Sequence, residues 1–423
     1  MVLDLKFIRQ NKDLINDAIK VKNINLNLEE LLLLDANIIE LKKQLQQLEE
    51  EKNINAREVP KLSSQDRPSF IEKGRKISQE IEELKPRVKT LEDELQAILL
   101  LVPNIPSIDA PIGLDENENL EIKRFGDQTS FDFKPLDHVQ ILEKHNWAEL
   151  ERVAKVTGSR SYALTNDMVL LEMALLRFAM EKMKSKGFTL ITVPALAREF
   201  AFVGTGHFPT GKEQVYFLPS DDLYLTGTAE VVLNALHSGD NLLEADLPIL
   251  YAGFSPCFRR EAGSSGRDTR GLIRVHQFYK VEQFVICKND PIVANHWHQE
   301  LLKTSEEVMQ DLELPYRVVD VCTGDMGAGK IRQYDLEAWV PSENKYRETH
   351  SCSSLHEWQA RRVNLRYRDA ESRMKYCYTL NNTAIATPRI MVPFLENHQN
   401  SDGTINIPIK LQAYLGGMVK LGE

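Results

Sequence analysis

The sequence has 423 residues, of which 42% are hydrophobic and 27% are charged, and it carries a formal net charge of -10. This composition excludes a fibrous, collagen-like or wholly disordered protein, and the length predicts two or three domains. The net acidity argues at first against a nucleic-acid partner. Five cysteines at least 25 residues apart are typical of free thiols, so we expect a cytoplasmic protein without a zinc site. No apolar run approaches the length of a membrane span, and we expect no membrane partner.

A coiled-coil pattern occupies the N-terminal part of the chain. Apolar residues recur there at alternating spacings of three and four, as in the seam between two packed helices. The first run contains Leu34, Ile38, Leu41, Leu45 and Leu48, and the second contains Gly74, Ile77, Ile81, Leu84, Val88, Leu91, Leu95, Ile98 and Val102. The pattern predicts an N-terminal domain over 1–102, whose residues 28–102 form an antiparallel hairpin, the arm, that projects into solvent. We expect a polar break at 53–68, a kink at Pro86 and a proline-rich linker at 103–118.

Two functions are open for the arm. A coiled coil most often serves dimerisation or a scaffold, and its charged outer positions then simply face solvent. Between residues 57 and 90, however, nine Lys and Arg stand against six Asp and Glu, a net charge of +3 within an acidic chain. A basic arm favours contact with a phosphate backbone.

Residues 119–423 predict a single α+β domain with a mainly antiparallel sheet flanked by helices. Helical patterns cover 166–186 and 291–312. The β-rich runs are 188–193, 213–225, 247–261, 272–287, 316–321 and 333–340. No run has the order of a Rossmann unit, and the glycine-rich residues 324–330 lack the Walker spacing and are interpreted as an ordinary loop.

The most informative stretch of this domain is 258–284. A strand ends in Arg259-Arg-Glu261, a Gly/Ser/Arg loop follows, and a second strand carries five polar or aromatic residues at alternate positions: Arg274, His276, Phe278, Lys280 and Glu282. Because side chains alternate along a strand, these five are expected to share one face and to line a cavity. Residues 259–280 carry six Lys and Arg against two acids, which favours an anionic ligand. The alternative is a hairpin at the edge of the sheet that faces solvent.

Five segments resemble the motifs of one enzyme family along essentially the whole chain. Gly187-Phe-Thr-Leu-Ile-Thr-Val-Pro194, residues 259–278, and Asn381-Asn-Thr-Ala-Ile-Ala-Thr-Pro-Arg389 resemble motifs 1, 2 and 3 of the class II aminoacyl-tRNA synthetases. Thr228-Ala-Glu230 and Glu348-Thr-His-Ser-Cys-Ser353 resemble the serine loop and the Glu-x-x-Ser-Cys-Ser element of bacterial-type seryl-tRNA synthetases. Together with the arm, the last two segments indicate serine.

The resemblance implies a two-step reaction with ATP and Mg²⁺. Serine and ATP would give seryl-adenylate and pyrophosphate, and the seryl group would then pass to the 3′-terminal adenosine of serine tRNA, and of selenocysteine tRNA where it is present. The long variable arm of the tRNA would lie against the protein's arm, with the acceptor end in the catalytic site. Motif 1 implies a homodimer.

The resemblance also assigns residues to roles. Catalytic roles fall on Arg259, Glu282 and Arg389. Serine binding falls on Thr228, Ala229, Glu230, Arg259, Glu282 and Thr383. ATP binding falls on Arg259, Arg260, Glu261, Arg274, Val275, Phe278, Glu348, Thr349, His350, Ser351 and Arg389. Glu348 and Ser351 are the positions that would hold Mg²⁺ with ATP.

Some positions depart from the family pattern, and two other functions stay open. Gly227 replaces a proline and should loosen the loop before Thr228, Thr349-His350 replaces a more usual pair, and Pro388 replaces a glycine. The same site could instead transfer an aminoacyl group to a carrier protein, although relatives of that kind lack a long arm. A decayed synthetase that serves only as an interaction protein would be expected to have lost its motif arginines, which are present here.

Overall fold

The structure is a computed structural model, in which residues 3–263, 268 and 270–422 are described. The loop segment 264–267 and residue 269 of the motif 2 stretch therefore lie outside the described residues. The chain divides into two compact units, one of residues up to 20 and 24–103, the other of 21–23 and 104 onward. None of the described helices is long and apolar enough to cross a bilayer.

The first unit consists of helices. They are α1 (Leu5–Gln10), α2 (Lys12–Val21), α3 (Leu28–Glu58) and α4 (Arg67–Leu99). Asn27 caps α3, since its side chain accepts a hydrogen bond from the backbone N–H of Glu29 at 3.1 Å. The predicted polar break is shorter than expected, because α3 continues to Glu58. Pro86 lies within the continuous helix α4.

The predicted seam is the interior of this unit. Residues such as Ile38, Leu41, Ile77 and Ile81 are buried, and the other predicted seam residues are buried or half-buried. Ion pairs on the outside join α3 to α4 in antiparallel order: Lys42 with Glu92, Lys85 with Glu49 and Lys73 with Glu51.

Gly74 is the one small residue of the seam pattern. A Cβ atom there would lie 2.6 Å from the side-chain nitrogen of Asn55, which donates to the carbonyl of Phe70 at 2.8 Å. Glycine therefore leaves room for an internal amide near the end of the arm.

The second unit combines nine helices with sixteen strands in its described part. The helices are α5 (His138–His145), α6 (Leu150–Thr157), α7 (Asp167–Ser185), α8 (Glu199–Thr205), α9 (Glu230–Leu236), α10 (Pro291–Asp311), α11 (Trp358–Arg362), α12 (Met391–Asn397) and α13 (Ile409–Gln412). The strands are β1 (Leu120–Phe125), β2 (Thr189–Thr192), β3 (Leu196–Ala197), β4 (Phe217–Leu218), β5 (Leu223–Leu225), β6 (Asn241–Leu243), β7 (Ile249–Phe258), β8 (Gln277–Cys287), β9 (Tyr316–Asp320), β10 (Arg332–Val340), β11 (Lys345–His356), β12 (Arg366–Arg368), β13 (Met374–Tyr376), β14 (Tyr378–Thr387), β15 (Ile405–Asn406) and β16 (Lys420–Leu421).

An eight-stranded sheet organises this unit, in the order β1-β9-β10-β11-β14-β8-β7-β2. All neighbours are antiparallel except β2 and β7, so the predicted fold class is confirmed. The sheet separates two packed layers. On one face Val281 and Val285 of β8 belong to a buried cluster with residues of α7 and α10. On the other face Phe284 and Ile286 cluster with residues of α8, α9 and α11.

One strand prediction needs correction. The second strand of the 258–284 stretch begins at Gln277, so Arg274 and His276 precede it. The β-rich run 213–225 contains the short hairpin of β4 and β5. Phe278, Lys280 and Glu282 do share one face of β8, because even-numbered side chains point away from the α7 and α10 layer.

Candidate active site

A cavity of about 670 Å³ opens on the face of the sheet that carries Lys280 and Glu282. Its walls come from β8, β10, β11 and β14 and from the loops at their ends. Most of the residues expected to bind ligands line it: Thr228, Glu230, Arg259, Glu261, Arg274, Val275, Phe278, Glu282, Glu348, Thr349, Ser351, Thr383 and Arg389. Segments distant in sequence therefore meet in one site, and the 258–284 stretch is not a hairpin exposed at the edge.

Three expected residues are placed elsewhere. Ala229 is fully buried in the second core cluster, Arg260 is exposed, and neither lines the cavity. His350 is also absent from the lining, since its Nε2 lies 3.1 Å from the carbonyl oxygen of Ala384 within the sheet. His276 faces away from the cavity as well, with its Nδ1 atom 3.0 Å from the carbonyl oxygen of Arg259.

Two carboxylates, those of half-buried Glu230 and buried Glu282, define one end of the cavity. The Oε1 atom of Glu230 accepts hydrogen bonds from the side-chain amides of Gln359 at 2.7 Å and Asn381 at 2.9 Å. Glu282, only 2% exposed, lies opposite Thr383 on β14 and forms an ion pair with Lys280. Burial raises the pKa of both carboxyl groups, and nearby cations, Lys280 and Arg259 among them, oppose the rise. This end presents fixed acceptors for a small polar ligand.

Arg274 and Arg389 lie at the other end, and the charge of Arg259 acts on both ends. Burial lowers the pKa of Arg389, the charge of Glu348 opposes this shift, and the charges of Arg259 and Arg274 add to it. Arg274 is held by Glu261 at 2.8 Å. Mutually repelling guanidinium groups in one partly enclosed site are suited to a polyanion, which would neutralise them.

Phe278 supplies an aromatic surface between these ends. The guanidinium of Arg259 lies over its ring, 5.1 Å from the centroid, and also donates to the carbonyl oxygen of Gly227 at 3.4 Å. A Cβ atom on Gly227 would come within 3.3 Å of the Arg259 side chain. Glycine at position 227, where the family pattern has proline, therefore allows Arg259 to lie close to the loop before Thr228.

Oxygen ligands suited to Mg²⁺ lie near the arginines. Glu348 and Ser351 line the cavity, and the buried carboxylate of Asp335 is the cross-strand neighbour of Ser351. Burial and the charge of Glu348 raise the pKa of Asp335 to about 7, and the charge of Lys330 opposes this rise. Carboxylate and hydroxyl oxygens, together with substrate phosphates, are ligands that Mg²⁺ prefers, so these residues fit that ion. Within the described residues, no group of three or more His, Cys, Asp or Glu could hold a metal.

The loop at 327–330 also lines the cavity, although its sequence was interpreted as ordinary. Lys22 donates to the carbonyl oxygens of Gly327 at 3.2 Å and Ala328 at 3.0 Å, and Asn104 donates to that of Gly329 at 3.0 Å. These contacts hold the loop so that Lys330 lines the cavity. No local motif could have identified them, because the partners lie more than 200 residues apart.

A histidine and an arginine outside the cavity lining are packed into the structure. His298 is 2% exposed, its Nε2 lies 3.1 Å from the Cys352 carbonyl oxygen, and burial lowers its pKa to about 4. The burial and this contact indicate a structural role for the residue. In the arginine-rich stretch 361–368, Arg362 stacks on Trp358, which lines the cavity floor.

Comparisons with known proteins agree with this site. Residues 2–106 match the family described as seryl-tRNA synthetase N-terminal domain, and residues 217–398 match the tRNA synthetase class II core domain (G, H, P, S and T). A protein of Deinococcus radiodurans named serine--tRNA ligase is 53% identical over 422 residues, covering 100% of this chain and 99% of that protein. One of Pyrococcus horikoshii with the same name is 41% identical, with 98% and 96% covered.

Solved structures give the same result. The seryl-tRNA synthetase of Pyrococcus horikoshii complexed with ATP has a TM-score of 0.91 at 39% identity and covers 99% of each chain. The cytoplasmic serine-tRNA ligase of Naegleria fowleri in complex with AMP has a TM-score of 0.87 at 29% identity, with 100% of this chain and 99% of that chain covered. With these matches over its full length and a site of the expected composition, this chain belongs to the seryl-tRNA synthetase family of class II aminoacyl-tRNA synthetases.

Proposed function

We propose that the protein activates L-serine with ATP and transfers the seryl group to the 3′-terminal adenosine of serine tRNA, and of selenocysteine tRNA where it is present. One observation carries this proposal: the carboxylates of Glu230 and Glu282 meet three arginines in a single cavity. The first group suits a small zwitterion with a hydroxyl, and the second suits a triphosphate. Names of relatives at 53% and 41% identity support the same activity.

Activation requires a carboxylate to attack the α-phosphorus of ATP, although both carry negative charge. Positioning and cations must therefore supply the catalysis. The charge of Arg259 acts on Glu230 and Glu282 at one end of the cavity and on Arg389 at the other, so Arg259 would contact both the serine carboxylate and the α-phosphate. Arg389 and Arg274 would bind the distal phosphates, and Phe278 would stack on adenine. No side chain is needed as a general base, since the attacking group is already ionised.

Serine would be recognised through the hydrogen bonds of its side-chain hydroxyl. Glu282 and Thr383, which face each other across β8 and β14, would meet the hydroxyl, and Thr228 and Glu230 would meet the amino group. A pocket that only fitted the side chain would separate serine from alanine poorly. Buried acceptors left without a partner can give discrimination of about 10⁴.

Mg²⁺ would be held by Glu348 and Ser351, and when bound it would offset the charge of the ATP phosphates. Asp335 lies beside Ser351 and could orient it. None of Glu348, Ser351 and Asp335 has to transfer a proton in the proposed activation step.

The arm is proposed to bind the long variable arm of the tRNA. Five of the nine cations between residues 57 and 90 are exposed and make no ion pair within the described residues: Arg57, Arg67, Arg75, Lys76 and Arg87. By contrast, Lys61, Lys73, Lys85 and Lys89 are each paired with an acid. The first group is available to phosphates. We keep 1–102, 103–118 and 119–423 as the proposed tRNA-binding domain, linker and catalytic domain.

A homodimer is proposed through the motif 1 region. Helix α7 exposes a row of large apolar side chains, Val169, Leu170 and Met173, which are 40–53% exposed. Such a row is typical of an interface. Sedimentation should give a dimer for the intact chain and a monomer for Met173→Glu, whereas a monomeric intact chain would contradict the proposal.

A cytoplasmic location is supported by five free and buried cysteines.

Exchange of pyrophosphate into ATP tests the activation step. With each amino acid supplied in turn, serine should support exchange at a rate far above all others. Exchange that depends on another amino acid, or none at all, would contradict the proposed function. Transfer to a carrier protein is the alternative, and it is disfavoured because residues 2–106 match the seryl-tRNA synthetase N-terminal domain.

A further inference from the structure

Lys280 is a buried cation to which neither the motifs nor the proposed reaction gives a task. It lies two residues before Glu282 on the same face of β8, and the two residues are 6% and 2% exposed. They form an ion pair, and within the described residues Lys280 is the only cation within 4 Å of Glu282. The neighbours of Lys280 across the sheet, Ser255 and Ala386, are small and carry no charge.

We propose that Lys280 is a positioning residue that holds Glu282 as an ionised acceptor for the substrate hydroxyl, and thereby sets the preference for serine over amino acids without one. The inference rests on the proposed function. It goes beyond that function because it assigns the discrimination to a pair of residues rather than to Glu282 alone.

A comparison of Glu282 with Glu230, the other carboxylate in the cavity, shows why Glu282 needs Lys280. Glu230 is stabilised by two side-chain amides, those of Gln359 and Asn381. Glu282 receives no amide hydrogen bond within the described part of the chain. Burial raises the pKa of Glu282, Glu230 adds to this rise, and the charges of Lys280 and then of Arg259 oppose it, Lys280 with a hydrogen bond as well. Without Lys280, a buried Glu282 beside a second carboxylate would take up a proton.

Protonation would change what Glu282 can recognise. An ionised carboxylate only accepts hydrogen bonds, so it pairs with the hydroxyl hydrogen of serine in a charge-assisted bond. A protonated carboxyl can satisfy itself by donating elsewhere, and serine then loses the charge-assisted bond. Alanine has no hydroxyl, so its binding should change little when Glu282 takes up a proton.

Lys280→Met tests the inference, since it keeps the length of the side chain and removes the charge. The intact chain is first shown to exchange pyrophosphate with serine; if it does not, the proposed function fails. For Lys280→Met we expect the KM for serine to rise at least about 10-fold, because one partner of a buried pair is lost. The KM for ATP and the inhibition constant of alanine should change less than about threefold. Lys288→Met, one residue beyond β8 and 38% exposed, is the matched control and should resemble the intact chain.

A double-mutant cycle separates positioning from a structural role. In the Glu282→Gln background, where no carboxylate remains to be held, Lys280→Met should lower kcat/KM for serine by less than about threefold. The double variant carries neither buried charge, so it should fold even if Lys280→Met alone does not. An unchanged serine KM in Lys280→Met, equal losses for serine and ATP, or an undiminished effect of Lys280→Met in the Glu282→Gln background would each overturn the inference.

Discussion

The arm and the cavity both carry many charges, but they use them in opposite environments. In the arm, the lysines and acids that pair across the hairpin are 37–55% exposed. Such pairs contribute about 0–1 kcal/mol each to stability. In the cavity, Lys280 and Glu282 are nearly inaccessible to water. Removal of one partner of a buried pair costs about 3–5 kcal/mol. Single charges should therefore be replaceable in the arm and not in the cavity.

Arg259→Ala should have the largest effect, because Arg259 is the cation at the junction of the two ends of the cavity. We expect serine-dependent exchange to fall by about 10³-fold, in the range seen when a preorganised group that stabilises transition-state charge is lost. The adjacent Arg260 is exposed and outside the lining, so Arg260→Ala is a matched control that should lose less than about threefold. Equal losses in the two variants would contradict the placement of Arg259.

Glu282→Ala should come next, and it should act on serine alone. The hydroxyl loses its acceptor, so kcat/KM for serine should fall about 100-fold while the KM for ATP stays within about threefold. Exchange measured against each substrate in turn gives both values. An unchanged dependence of pyrophosphate exchange on serine concentration would contradict the assignment of Glu282 to the serine hydroxyl.

In the arm, only a combined change should be visible. Replacement of Arg75, Lys76 and Arg87 with Ala should raise the KM for tRNA about 10-fold and flatten its dependence on salt, since fewer counterions are displaced. Pyrophosphate exchange should not change. The matched control replaces Lys73, Lys85 and Lys89, whose charges are paired within the arm. If both triple variants bind tRNA equally, the unpaired cations are not the tRNA contact.

The smallest expected effect is on the folding stability of the protein at low pH. It also distinguishes the cavity from the arm, because it arises in the second unit only. All ten histidines follow residue 137, as do all four tryptophans, so tryptophan fluorescence reports on the second unit. Because the pKa of His298 is lowered to about 4, the unfolded chain gains its proton near pH 6.5, before the folded chain does. The stability that neutral His298 contributes is complete above pH 6.5 and is lost as the pH falls towards 4, by at most about 1.4 kcal/mol per pH unit.

Thermal unfolding at several pH values measures this slope. His298→Gln should flatten the loss between pH 6.5 and 4, relative to the starting protein. His296→Gln, an exposed neighbour on the same helix, should leave it as it is. Identical slopes for both variants would contradict a buried neutral His298.

The arm could be predicted from sequence almost residue by residue, because its period is local and its interior is one seam. Gly74 fitted the period, but the reason for glycine is Asn55 on the other helix. The cavity was harder to predict. Alternation along β8 identified Phe278, Lys280 and Glu282, yet the same alternation misplaced His276, which precedes the strand.

The residues that the sequence did not reveal are those whose role depends on partners far along the chain. Gln359 and Asn381 matter because both reach Glu230, more than 100 residues away. Lys330 lines the cavity because Lys22 and Asn104 hold its loop. Such contacts are made by the sheet and its loops, and no spacing pattern encodes them.

The most direct test of the whole account is the charging of unfractionated tRNA with serine, measured for the intact chain beside Arg259→Ala and the variant of Arg75, Lys76 and Arg87. The account predicts that the intact chain forms seryl-tRNA, that Arg259→Ala loses charging and exchange together, and that the arm variant loses charging while it keeps exchange. Failure of the intact chain to form seryl-tRNA, or charging with another amino acid, would contradict it.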